Sequence, residues 1–278
     1  MPDATDEATA STAGGAAADP EGRAATVAAL VAELRALGVT DGTILLVHAS
    51  LGSTGLDADT LRTALLTAVG GEGTLVVPAF TEENSDTSSA HLARIRGKTR
   101  REAAAFRERM PAFDAATTPS TGMGRLAESV RTHPAAVRSA HPQTSFAAVG
   151  RQARELLASH PLHSHLGEDS PLGALAASGA RVLMINVGFG VCTAFHLAEY
   201  RAGAPTRSYR CVVKGPDGIA RWVEYEDVTL DDSDFESVGA SFPWGMEQKG
   251  QLGGTSARLF PIKDAVDHAE SWMTEKRR

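Results

Sequence analysis

TILLVHASLGSTGLDADTLRTALLTAVGGEGTLVVP, residues Thr43 to Pro78, decides the fold class. Thr43 to His48 is a short apolar run that reads as a buried strand. Asp59 to Val69 reads as a helix that begins at an acidic cap. Gly70, Gly71 and Gly73 supply the turn, and Thr74 to Val77 makes a second strand that Pro78 stops. The same alternation extends on both sides. Upstream, Val27, Leu30, Val31 and Leu34 recur at helical spacing between Arg23 and Leu37, and Gly38 ends that helix. Downstream, the pattern predicts a helix over Met123 to Arg131 and a strand over Ser145 to Val149. A helix over Arg151 to Ser159 and a strand over Val182 to Val187 follow. Helices alternating with short strands imply an α/β fold, with a mostly parallel or mixed central sheet flanked by helices.

Two regions break the alternation. Thr81 to Pro119 loses its periodicity and becomes charged, so it reads as an excursion over the surface and a candidate wall of a ligand cleft. After Pro205, strand-like segments at Tyr209 to Val213 and Ala220 to Tyr225 flank Gly215-Pro216-Asp217-Gly218, a strong hairpin turn. They predict a small C-terminal β-rich subregion before a last helix from Asp264. Residues 1–20 hold almost no large apolar side chains and read as a disordered tail; residues 21–278 read as a single α/β domain.

The composition is that of an ordinary soluble globule, with 42% hydrophobic and 22% charged residues. A formal net charge of -7 argues against a nucleic-acid binder and suits a cationic ligand. No apolar run approaches the ~20 residues that span a bilayer, and the start of the chain lacks the pattern of a signal peptide, so the cytoplasm is the default location. Two cysteines, Cys192 and Cys211, make neither a disulfide framework nor a zinc site.

The compact candidate for chemistry is VGFGVCTAFHLAEY, Val187 to Tyr200. Thr193, His196 and Glu199 stand three residues apart on a helix-like segment, so successive pairs share a face. A histidine with a carboxylate one turn away is held in one tautomer and made more basic, which suits proton abstraction near neutral pH. Spacing alone leaves base, metal ligand and satisfied core pair open. Other segments are less specific. HASLGSTG at His48 and TPSTGMG at Thr118 combine hydroxyls and glycines after a strand or before a helix, where α/β folds place ligands, but lack Walker or dinucleotide spacing. Arg138, in RSAHPQTSF, is a candidate partner for a phosphate. His160, His163 and His165, near Glu168 and Asp169, do not have the spacing of a zinc motif, and Asp231 to Glu236 lacks the glycine and terminal glutamate of a calcium loop, so no metal is expected. The sequence contains no G-x-S-x-G elbow to mark a serine nucleophile, which favours direct transfer over a covalent route.

Taken in order, seven segments resemble the aminoglycoside 3-N-acetyltransferases. They are HASLGSTG at His48, GTLVVPAFT at Gly73, MGRLAESVR at Met123, RSAHPQTSFAAVG at Arg138, GEDSPLGAL at Gly167, TAFHLAE at Thr193 and WVEYED at Trp222. The resemblance implies acetyl-CoA as co-substrate and an aminoglycoside as acceptor, with neither nucleic acid nor membrane as partner. It implies His196 as general base with Glu199 as its acidic partner. Ser50, Leu51, Ser53, Thr118, Ser120, Arg138 and Ser139 would belong to the coenzyme-contacting loops. Glu224, Glu226 and Asp227 would face the polyamine. Thr193 or nearby backbone amides would stabilise the oxyanion. The chain departs from the family pattern in its longer tail, at His160 to His165, and in a charged insert near His91 to Arg109. Two other readings stand beside this one: an acetyltransferase of the same fold acting on another amine, and a non-enzymatic metal-binding or ligand-sequestering protein built on the His-rich loop.

Overall fold

The computed structural model describes residues 20–81 and 83–277. The expected disordered tail therefore lies outside the described residues, except for Pro20, where α1 (Pro20–Ala36) begins. β1 (Ile44–Ala49), α2 (Ala58–Val69) and β2 (Thr74–Pro78) follow as the sequence predicts. α2 starts because Asp57 is its cap: the carboxylate accepts the Thr60 N–H at 2.8 Å. It ends at Gly70, whose φ of 68° falls in the left-handed region that favours glycine.

The charged stretch after β2 holds α3 (Ser89–Ile95) and α4 (Arg100–Glu108). Then come α5 (Gly124–Arg131), β3 (Val137–Arg138), β4 (Phe146–Gly150) and α6 (Ala153–Leu156), a helix shorter than the sequence suggests. The chain leaves that helix and turns inward, so that His160 reaches the Ser139 hydroxyl at 2.9 Å. α7 (Pro171–Ala177), β5 (Arg181–Ile185), a 3-10 turn at Phe189–Val191 and α8 (Phe195–Arg201) follow. The remaining elements are β6 (Thr206–Lys214), β7 (Ala220–Val228), α9 (Phe235–Ala240), β8 (Gln248–Leu252), β9 (Thr255–Pro261) and α10 (Ile262–Lys276). Helices α3, α4, α7 and α9 and strands β3, β8 and β9 have no counterpart in the sequence reading.

The central sheet has seven strands in the order β3-β4-β2-β1-β5-β9-β8. β1 runs parallel to both β2 and β5, with Ile44 opposite Thr74 and Leu45 opposite Arg181. The outer pairs are antiparallel, so the sheet is mixed. β9 returns antiparallel to β8 through the tight Gly253-Gly254 turn, and its other edge pairs antiparallel with β5. β6 and β7 form a separate two-stranded sheet, which is the predicted β-rich subregion; β8 and β9 belong to the main sheet instead.

Side chains alternate along β1: Ile44 and Leu46 face one hydrophobic cluster, Leu45 and Val47 the other. The first cluster carries α7, α8 and α10, and the second carries α1, α2 and α5. Both faces of the strand are buried, which explains the unbroken apolar run in the sequence. The carboxyl ends of the parallel strands β1, β2 and β5 lie side by side, where open α/β sheets receive ligands.

Candidate active site

A cleft of about 840 Å³ opens at that edge. Its floor is His48, Ala49 and Ser50 at the end of β1, with Val77 and Pro78 from β2. Gly122 to Ala127, at the start of α5, form one wall together with Leu51 and Gly52. Thr193 and His196 enter from α8 and the turn before it. Arg207 and Tyr209 come from β6, Asp232 and Phe235 from the region of α9, and Ser88 and Ser89 from the start of α3. The charged stretch thus does border the cleft.

The loops are tied together at the base. Asn186, directly after β5, has a φ of 53°, a conformation that asparagine tolerates better than most residues. Its side-chain amide donates to the Ser50 carbonyl at 2.9 Å, and its own N–H donates to Ser256. This single residue fixes the ends of β1, β5 and β9 relative to one another.

His196 and Glu199 meet as their helical spacing predicts. The His196 Nδ1 lies 2.6 Å from Glu199 Oε2, and the Glu199 side chain is 0% exposed. The carboxylate calls for a donor, so Nδ1 carries a proton, and Nε2 is left as the ring nitrogen without a partner among the described residues. The Glu199 Oε1 accepts the Asp231 N–H at 2.9 Å and an N–H of Arg277 at 2.6 Å. The Phe235 ring packs 4.7 Å from the imidazole, centroid to centroid, and limits its rotation. Thr193 lines the cleft three residues before His196, and its hydroxyl has no partner among the described residues.

The other residues singled out in the sequence divide sharply. Ser50 and Leu51 line the cleft, whereas Ser53 stands behind them, 3.4 Å from the Asn186 amide. Arg138 is not a free guanidinium. It donates to the Ala79 carbonyl at 2.6 Å, to Ser145 Oγ at 3.0 Å and to the Thr118 carbonyl, a clamp between loops, and burial lowers its pKa to about 10. Thr118 accepts the Asp114 N–H, Ser120 donates to Glu128, and Ser139 is shared between Phe146 N and His160. None of these four lines the cleft. On β7, Glu224 and Glu226 are exposed, and Glu224 accepts a hydrogen bond from Ser208. Asp227 is buried on the opposite face, where it accepts from His165 Nδ1 at 2.5 Å, His165 N at 2.6 Å and the Tyr200 hydroxyl at 2.8 Å.

Several cleft residues were not singled out as site residues in the sequence. His48 is buried and its Nε2 has no partner; burial, then the nearby His196, push its pKa to about 4, so it is neutral. His165 belongs to the His-rich loop but reaches the cleft beside Gln143, Thr144 and Tyr209. Its ring packs against that of His141, tilted by 53° with centroids 4.5 Å apart, and burial lowers the pKa of both imidazoles. Arg207 lies 4.2 Å over the Tyr209 ring, without an ion pair among the described residues. Both cysteines are buried, and burial pushes each thiol up to about 12, which removes them as nucleophiles.

A family model described as aminoglycoside 3-N-acetyltransferase matches residues 46–274, a span that contains the cleft and the whole central sheet except the first residues of β1. The chain belongs to the aminoglycoside 3-N-acetyltransferase family. It is therefore an acyltransferase. The SPbeta prophage-derived aminoglycoside N(3')-acetyltransferase-like protein YokD of Bacillus subtilis is 36% identical over 253 residues, covering 89% of this chain and 92% of its own. The aminoglycoside N(3)-acetyltransferase VII of Streptomyces paromomycinus is 32% identical, covering 89% and 91%. Among solved structures, the YokD crystal structure superposes with a TM-score of 0.84 at 34% identity, over 90% of this chain and 94% of that one. The AAC-IIIb binary complex with CoASH gives 0.78 at 29% identity, over 90% and 96%. Among the described residues of this aminoglycoside 3-N-acetyltransferase family member, no helix is long and apolar enough to cross a membrane.

Proposed function

We propose that this enzyme moves the acetyl group of acetyl-CoA directly onto the 3-amino group of a 2-deoxystreptamine aminoglycoside, with His196 as general base, and so confers resistance. The observation that carries the reading is the buried Glu199 holding the His196 Nδ1–H at 2.6 Å beside a cleft of about 840 Å³. The co-substrate and acceptor are supported by relatives: one solved neighbour is a CoASH complex and another is AAC-VIa bound to sisomicin.

In this mechanism both substrates occupy the cleft together. The acceptor nitrogen attacks the thioester carbon while His196 Nε2 takes its proton. The tetrahedral oxyanion gains a hydrogen bond from the Thr193 hydroxyl or neighbouring backbone amides. Expulsion of the coenzyme thiolate forms the amide, and the proton on His196 passes to the leaving sulfur. General-base assistance contributes about 10²- to 10⁴-fold, and co-binding of the substrates at least as much. The neutral buried thiols of Cys192 and Cys211 favour direct attack over an acyl-enzyme.

A second reading, acetylation of a different amine, draws on the cleft's charges. Among the described residues that line the cleft Asp232 is the sole acid, beside Arg125 and Arg207, whereas a polycation would favour several acids. Thiol release from acetyl-CoA across kanamycin-type aminoglycosides and simple amines decides between them. Aminoglycosides turned over best support the first reading; a mono-amine preferred by an order of magnitude replaces it. An H196N enzyme with intact folding and near-wild-type turnover removes His196 from the chemistry.

A further inference from the structure

Arg277 follows directly on α10, far in sequence from the cleft, and does not line it. Its guanidinium nevertheless reaches the back of the base. Nη1 donates to Glu199 Oε1 at 2.6 Å, Nη2 to the Asp231 carbonyl at 2.7 Å, and Nε to Asp234 Oδ2 at 2.7 Å, with a second N–H of the same fork on Asp234 Oδ1. We propose that Arg277 is a positioning residue for acetyl transfer: its planar fork joins the Glu199 carboxylate and the Asp231–Asp234 loop into one unit that sets the orientation and charge of the His196–Glu199 pair. The proposal rests on the reading of His196 as general base.

The reasoning starts from the cost of Glu199. A carboxylate with a fully buried side chain is expensive unless it is both hydrogen-bonded and matched by positive charge. Two partners meet it apart from Arg277. The Asp231 N–H is neutral, and His196 supplies charge only when it is protonated, which is the form that cannot act as a base. Arg277 supplies the formal cation. It allows Glu199 to stay anionic while His196 stays neutral, the state that proton abstraction requires.

The same guanidinium also governs orientation. By holding the Asp231 carbonyl and the Asp234 carboxylate it fixes the segment that leads into α9, and that segment carries Asp232 into the cleft and Phe235 against the imidazole. A lysine ammonium is a point donor and cannot serve these three acceptors in one plane. α10 packs on α8, the helix of His196 and Glu199, so that Arg277 is delivered to the base by the core itself.

The charged and titratable groups that face His196 are Glu199 on its own helix, His48 from β1, His165 from the loop before α7, and Asp231 and Asp232 from the loop before α9. Arg277 is the cation behind that set. Removing it eases protonation of the imidazole, so the acid limb of activity moves to higher pH.

The test compares R277M and R277K with wild type, with H196N, and with K276A as the control, since Lys276 pairs with Glu275 on the surface. Thiol release is followed with acetyl-CoA and the best acceptor of the panel. R277M is expected to lower kcat about 10- to 100-fold with the KM for acetyl-CoA nearly unchanged. Its acid limb in kcat/KM should move up by about one pH unit. Added guanidinium ion should restore part of kcat, and R277K should return the limb without restoring full turnover. Wild-type kcat and an unmoved limb in R277M overturn the proposal. If R277M does not fold, R277K decides: kcat several-fold lower at unchanged KM supports the role, and wild-type kcat ends it. An inactive H196N beside an unaffected R277M rejects Arg277 alone, whereas an active H196N, or an enzyme that releases no thiol with any amine, rejects the base and Arg277 together.

Discussion

Lowering the pH below neutrality should destabilise this protein through its buried and half-buried histidines, and the half-buried His160 allows the size of the effect to be worked out. Burial pushes the pKa of His48 and of His160 from 6.5 to about 4 in the folded chain. Unfolding returns each imidazole to water, where it takes a proton near pH 6.5. The unfolded state therefore binds more protons between pH 6.5 and 4, and stability falls as the pH drops through that window. It is fully present above pH 7. At pH 5 each imidazole removes about 2 kcal/mol, and below pH 4 the loss approaches about 3 kcal/mol each. Two such groups cost about 4 kcal/mol at pH 5, a large part of the ~5–15 kcal/mol that holds a typical domain together. His141, pushed well below its ordinary value by the same burial, adds to the loss. The assay is urea unfolding of wild type and H160Q at pH 7.5 and pH 5.0. H160Q loses its bonds to Ser139 and to the His165 carbonyl, so it starts less stable; what matters is the difference between the two pH values. That difference should shrink by about 2 kcal/mol in the variant. An H160Q protein with the full wild-type pH dependence would refute the argument that this histidine is held neutral by burial.

Three further outcomes follow from the packing and the site. Gly239→Ala places a methyl group 1.9 Å from Phe189 Cγ, so the 3-10 turn and α9 must separate; a loss of about 3 kcal/mol or more is expected, read as a fall in thermal midpoint. Cys192→Ala should keep thiol release within about threefold of wild type, because a thiol with pKa near 12 is no nucleophile; a hundredfold loss in a folded variant would reopen the acyl-enzyme route. Arg138→Met strips donors from the Ala79 and Thr118 carbonyls and should lower stability by about 2–4 kcal/mol in urea, with the KM for acetyl-CoA little changed in the folded fraction; a raised KM at wild-type stability would return this arginine to the coenzyme site.

What the sequence disclosed follows from local physics. β1, β2 and the helix between them were legible because strands buried on both faces must be apolar throughout and because α2 is capped by Asp57 and ended by Gly70. The His196–Glu199 pair was legible because three residues on a helix bring two side chains together without help from the rest of the chain. β8 escaped notice for the opposite reason: Gln248, Lys249, Gly250 and Gln251 form an exposed edge with no apolar face to read. α4 buries no residue, so nothing marks a core-facing stripe. Arg138 looked like an anion binder because its two carbonyl partners lie 20 and 59 residues away, beyond any local pattern. The resemblance places Asp227 with Glu224 and Glu226, yet the period of two along β7 separates them. Tyr225 and Asp227 share the inward face, and the two glutamates share the other.

The β6–β7 hairpin lies outside the seven-stranded sheet, yet it contributes Arg207 and Tyr209 to the cleft. It is fastened to the rest of the molecule at many points, among them the His165–Asp227 bond, the Tyr200 hydroxyl of α8 on Asp227, the Arg210–Asp86 ion pair and the pairing of Val212 N with the Asn84 carbonyl. Its register is independent of the strands that seat His48 and of the helix that seats His196. Substitutions at Arg207, whose side chain reaches the cleft without an ion pair among the described residues, can therefore remodel one wall while the bonds that hold His196 and Glu199 stay in place. This divides the molecule's labour: the seven-stranded sheet and α8 seat His48 and His196, while a separate two-stranded sheet supplies the facing wall of the cleft.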